Sequence, residues 1–131
     1  EEGYDIYYIN LANRVDRRKR LEDQLALHNL SAIRFEAVTG EIVPDAIIQR
    51  HWKPEFNALF DARCKADSCY DLSDGERGCA GSHAALWKQC VLADRPMLIL
   101  EDDAVFIKAF SISLLQHAMR HIDEHDPSLL K

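Results

Sequence analysis

The sequence predicts an α/β domain on a mostly parallel sheet, and three stretches carry that expectation. Tyr4 to Leu11 (YDIYYINL) is rich in the aromatic and β-branched residues that favour strands. A stretch of helical periodicity follows, and Ala32 to Val38 (AIRFEAV) then sets Ile33, Phe35 and Ala37 against Arg34 and Glu36 in strand alternation. An opening of strand, helix, strand favours a parallel pair with a right-handed crossover. The third stretch is Met97-Leu98-Ile99-Leu100, an apolar run too short for a helix, introduced by the turn signal Asp94-Arg95-Pro96. It reads as a strand buried on both faces.

The first helix is expected to run to about His28, capped by Asn13 or Asp16. Leu21, Leu25 and Leu30 form its apolar stripe, and Arg18–Glu22 and Lys19–Asp23 are i,i+4 pairs on its outer side. Asn29 suits a left-handed terminator. Residues 41–72 read as an insertion of short helices and loop, one helix starting at Pro44 with Ile47 and Ile48, another carrying Phe56, Leu59 and Phe60. Trp52 and Phe56 there are satellite core or, less favoured, a substrate platform. Ser73-Asp74-Gly75-Glu76 is a capping box. It opens a helix to about Ala93 with Leu86, Trp87, Cys90 and Val91 inward. After the apolar strand, Ala104 to Ile107 can continue extended. Phe110 to His121 has helical periodicity, with Leu114, Leu115, Ala118 and Ile122 on one face.

At 131 residues the chain is expected to form one α/β domain, residues 1–131. A chain of this size buries roughly two-thirds of its unfolded surface. Its net charge of −6, from 22 acids against 16 bases, argues against nucleic acid as a partner. The cluster Arg14, Arg17, Arg18, Lys19 and Arg20 does not change this, because Glu22 and Asp23 stand beside it. No stretch reaches the roughly 18 to 20 apolar residues that span a bilayer. Glu1 and Glu2 ahead of Tyr4 carry the wrong charge for a signal peptide. The expected location is therefore cytoplasmic. Cys64, Cys69, Cys79 and Cys90 lack the paired C-x2-C spacing of common zinc sites and read as ordinary thiols. A Cys64–Cys69 bridge needs an oxidising compartment.

Three constellations carry candidate chemistry. Glu101, Asp102 and Asp103 follow the apolar strand directly. Three acids at a strand end repel one another and resist desolvation. A divalent cation relieves that repulsion, and in open α/β sheets ligands sit at the carboxyl ends of strands. A solvated acidic turn is the equally weighted alternative. The second constellation is Gly75, Gly78 and Gly81, spaced by three with Ser82 and Ala85 beside them. Glycine in a helix costs about 1 kcal/mol against alanine. Either another element packs tightly against this face or a ligand presses on the helix start, where free N–H groups favour anions. His83, one turn in, is then a candidate ligand contact, against the commoner role of a core or capping histidine. The third is the junction Asn10-Leu11-Ala12-Asn13-Arg14, in a loop position common for nucleotides. Arg14, Arg17 and Arg18 offer guanidinium groups to a diphosphate or a base. Neither a dinucleotide glycine fingerprint nor a P-loop is present.

Taken together, YYINLANRVDRRKRL, RFEAVTG, LSDGERGCAGSHAALWKQCV and LILEDDAVF resemble glycosyltransferase family 25. Its members include galactosyltransferases of bacterial lipopolysaccharide and lipooligosaccharide assembly and collagen-modifying relatives. The resemblance covers most of the chain outside residues 41–70. It implies a GT-A-like nucleotide-sugar-binding fold, Rossmann-like with a mostly parallel sheet, of which this is the N-terminal part. It also implies a UDP-sugar donor, most often UDP-galactose, and Mn2+ or Mg2+. By position, Glu101, Asp102 and Asp103 match the family's acidic motif and are the expected metal ligands. Asn10, Arg14 and Arg17 match the first-strand donor region, and Gly78, Ser82 and His83 the central motif. The expected reaction moves a sugar to a hydroxyl of a lipopolysaccharide or lipooligosaccharide acceptor, with peripheral contact at the inner face of the inner membrane. The general base is unassigned, with Asp102 and His83 as weak candidates. Rival classes are a metal-dependent phosphohydrolase acting on a nucleotide and a non-catalytic nucleotide-sugar-binding fragment.

Overall fold

A computed structural model describes residues 3–44, 46, 50 and 72–125, the last four by backbone alone. The expected helices at Pro44 and at Phe56–Phe60, the roles of Trp52 and Phe56, and Cys64 and Cys69 lie outside the described residues. The chain divides into two compact units. One comprises residues 1–37 with 83–131, and the other residues 38–82.

In the first unit, β1 (Asp5–Asn10), α1 (Val15–Leu27) and β2 (Ile33–Glu36) follow one another. The second half of α2 (Asp74–Ala93), then β3 (Met97–Glu101) and α3 (Ile112–His125), complete it. Both strand pairs are parallel and the order is β2-β1-β3. The chain therefore steps from β1 to one side and later to the other, which makes the β1–β3 boundary a topological switch point.

Alternation on β1 turns Tyr4, Ile6 and Tyr8 to one face, where they form a core with Leu21 and Leu25 of α1 and Leu115 and Met119 of α3. Register places Leu98 beside Ile6 and Leu100 beside Tyr8, so β3 adds to the same face. Leu21 is fully buried, and truncating such a leucine costs about 2–5 kcal/mol. Asn29 adopts φ 52° and ends the α1 turn as its left-handed preference predicts. Phe106 and Phe110 close one side of the core against His28, with ring centroids 4.8 to 5.5 Å from the imidazole.

Several sequence expectations are corrected. Arg14, not Asn13 or Asp16, occupies the N-cap of α1, and no side chain caps it. A turn from Leu11 to Arg14 leads into the helix, and the Asn10 side chain holds the Arg14 carbonyl. β3 is half-buried rather than fully buried, because among the described residues it pairs with β1 alone. Residues 104–107 are a loop, not an extension of β3. Gln24 holds that loop at both ends of its carboxamide, donating to the Ala104 carbonyl and accepting from the Phe106 N–H. On α2 the inward line is Ser82, Leu86 and Cys90, spaced by four. Trp87 and Val91 lie one position off that line and are exposed. On α3, Leu115 and Met119 face the core, whereas Leu114 and Ala118 are exposed.

In the second unit, Gly40–Ile42 forms a 3-10 turn and α2 begins. The capping box forms as expected. Ser73 N–H donates to Glu76 Oε2 at 2.8 Å, and Glu76 N–H donates to Ser73 Oγ at 3.3 Å. A Cβ on Gly78 would lie 2.5 Å from the Val38 carbonyl oxygen, so the helix passes against bare backbone there. Ser82, fully buried, accepts from the Val38 N–H at 2.9 Å and donates to the Gly78 carbonyl at 2.8 Å. Gly75 by contrast has only Ser73 Oγ near it, at 4.0 Å.

Candidate functional site

The polar residues of the first unit converge where the three strands end. Asn10, the last residue of β1, is 1% exposed. A carboxamide so deeply buried must find partners for its oxygen and both N–H groups. Its Nδ2 donates to Asp102 Oδ2 at 2.8 Å and to the Arg14 carbonyl at 3.2 Å. Its Oδ1 accepts from Arg34 Nε at 3.0 Å, and Arg34 Nη2 donates to the Asn10 backbone carbonyl, also at 3.0 Å. Arg34 in turn pairs with Glu36 Oε2 at 2.6 Å. On the far side of Asp102, Arg17 Nη1 lies 3.4 Å from Oδ1. A continuous polar chain thus runs Glu36–Arg34–Asn10–Asp102–Arg17 and ties β2, β1, the end of β3 and α1 together.

This chain separates the three acids. The Asp102 side chain is 12% exposed and turned inward, toward a guanidinium and an amide. Glu101 is 55% exposed, and Asp103 is exposed as well. Glu101 Oε1 meets His83 Nε2 at 3.2 Å, and the His83 ring stands 6.1 Å from the Trp87 ring. Cys79 precedes His83 by four residues on α2, the spacing that stacks side chains along one helix face. The expected arginines divide too. Arg17 reaches Asp102, whereas the Arg14 guanidinium pairs with Asp16 and holds that carboxyl down at about 2. Gly78 and Ser82 are engaged with the backbone of residues 38–40 in the second unit.

Arg34 was visible in the sequence only as a polar residue of an alternating strand. The missed signal is a strand arginine two positions ahead of a glutamate, where a solvent-facing pair would suffice. Its bonds to Asn10 depend on the parallel register that sets Tyr8 beside Arg34 and Asn10 beside Glu36. Gln24 was likewise unmarked.

An open parallel α/β sheet with polar and acidic side chains at the carboxyl ends of its strands defines a Rossmann-like, GT-A type of fragment. The family model described as glycosyltransferase family 25 (LPS biosynthesis protein) matches residues 4–130, and the chain belongs to that family. A Haemophilus influenzae protein is 30% identical over 125 residues, 95% of this chain and 36% of its own length. The procollagen lysyl hydroxylase and glycosyltransferase of Acanthamoeba polyphaga mimivirus is 35% identical over 118 residues, 79% of this chain and 12% of that protein. Mouse procollagen galactosyltransferase 2 is 32% identical over 126 residues, 93% of this chain and 19% of that protein. The chain therefore spans about a third or less of the length of these relatives. Among the described residues no helix is long and apolar enough to cross a membrane.

Proposed function

We propose that the protein transfers a sugar, galactose, from a UDP-sugar to a hydroxyl of a lipopolysaccharide or lipooligosaccharide acceptor at the cytoplasmic face of the inner membrane. The observation that carries this is the convergence of Asn10, Asp102, Glu101 and Asp103 at the switch point between β1 and β3. The family description supports the acceptor class, and the printed name of the mouse relative supports the sugar.

Residues at the strand end suit a hard divalent cation such as Mn2+ or Mg2+, because Glu101 and Asp103 are exposed carboxylates two positions apart at the end of β3. When bound there, such an ion supplies positive charge to a departing diphosphate. Asp103 and Glu101 would hold the ion. Arg17, anchored on Asp102, keeps a positive charge at the nucleotide side of the sheet edge. The inversion of sign between an acidic protein and an anionic donor is thereby resolved through the cation. His83, beside Glu101, is the candidate to take the acceptor proton.

The test is thermal. With UDP and Mn2+ together at about 100 times the dissociation constant, binding adds about 2.7 kcal/mol of stability, read as a rise in Tm. Chelator should erase the rise, and Asp103→Asn should erase it without lowering the Tm of the ligand-free protein. An equal rise with chelator present would overturn the metal-assisted reading. Incubation with UDP-galactose and an acceptor oligosaccharide should give an elongated product. Free galactose in its place would assign a hydrolase.

A further inference from the structure

We infer that Arg34 is a positioning residue for this site. It fixes the Asn10 carboxamide, which holds Asp102 inward and so sets the turn at Asp102 and Asp103 that ends β3. The inference rests on the donor-site reading above and deepens it.

The orientation of an amide is ambiguous in isolation, since its oxygen and nitrogen ends are nearly equal in shape. Here Arg34 removes the ambiguity. Its Nε takes the Asn10 Oδ1 at 3.0 Å, and its Nη2 takes the backbone oxygen of the same residue. A guanidinium cannot accept, so the amide nitrogen must point the other way, to Asp102 Oδ2 at 2.8 Å. Asp102 then has one oxygen on an amide and the other on Arg17, and its charge is balanced within the fold. Lysine cannot reproduce the fork, because a single ammonium does not span Oδ1 and the main-chain oxygen with planar geometry. Glu36 holds Arg34 from its exposed side at 2.6 Å, completing the line across the sheet. Partners bonded directly to a metal ligand change metal affinity by about 10- to 100-fold when removed, and Arg34, acting through Asn10 and Asp102, belongs at the low end of that range.

Full-length protein would be titrated with Mn2+ at fixed UDP, and the Mn2+ midpoint of the Tm rise would be recorded. Arg34→Ala and Arg34→Lys should each raise that midpoint about 10-fold, while UDP affinity at saturating Mn2+ stays close to wild type. Asp102→Asn should keep a Mn2+-dependent rise, because its side-chain oxygen still accepts from Asn10. Asp103→Asn should lose it. A lower Tm for Arg34→Lys with an unchanged Mn2+ midpoint would reduce Arg34 to a structural residue and overturn the inference. So would an Asp102→Asn protein as unresponsive to Mn2+ as Asp103→Asn. A wild-type protein that melts identically with and without Mn2+ and UDP defeats the donor reading, and the inference with it, before any substitution is made.

Discussion

The strand-end cluster and the glycine face at the start of α2 looked alike as sequence, since each is a run of unusual residues that something must approach. Their physics differs. At the glycine face the approaching group is the protein itself. The Val38 carbonyl occupies the space a Gly78 side chain would need, and Ser82 bonds both Val38 and the Gly78 carbonyl. At the strand ends the acids part ways: Asp102 is held by Asn10 and Arg17, Glu101 meets His83, and Asp103 is exposed. Small residues report only that space is filled, whereas neighbouring like charges are here drawn to separate partners.

Three substitutions sharpen or break this contrast. The largest effect is expected for Gly78→Leu, which must displace the backbone at Val38 and should destabilise by about 3 kcal/mol in urea unfolding. Gly75→Ala, which enters open space, should be neutral or slightly stabilising. A Gly78→Leu protein of near wild-type stability would return that face to a ligand. Next comes Ser82→Ala, which strands the Val38 N–H and should cost about 1–2 kcal/mol with no change in the Mn2+ response. A lost Mn2+ response with stability intact would instead place Ser82 in the donor site.

The smallest effect concerns acid. Hydrogen bonds from the Tyr8 hydroxyl, then from Arg18, hold the Glu22 carboxyl below its ordinary value of 4.5. A depressed carboxyl stabilises above its unfolded pKa and loses that contribution as pH falls through its folded one. Tm should therefore decline below about pH 4.5, and Glu22→Gln should flatten the decline by about 1–2 °C, a small share because the pair is half exposed. An unchanged acid limb would remove Glu22 from it.

Much of the fold was legible, because the signals were local. The capping box and the left-handed Asn29 each act through neighbours in sequence, whereas β2 forms without the expected alternation, since Ile33 is exposed and Arg34 half-buried. Helix faces were less legible. Periodicity placed α2 and α3 correctly but widened their inward stripes, since Trp87 and Leu114 are apolar yet lie one position off the buried lines Ser82–Leu86–Cys90 and Leu115–Met119. Of the candidate site, the acids and Asn10 could be marked from the strand-end rule. The different states of Asp102 and Asp103 could not. They depend on a bond between residues 92 positions apart and on an arginine from a third strand.

The Asn10 carboxamide also acts as a proofreader of strand alignment. A one-residue slip of β3 would carry Asp102 out of reach, turn Leu98 and Leu100 to the opposite face, and leave a buried amide one partner short. Each misthreaded sheet is thus penalised twice, once in oil and once in polarity. The same polar bonds thereby help the nascent chain reject wrong arrangements.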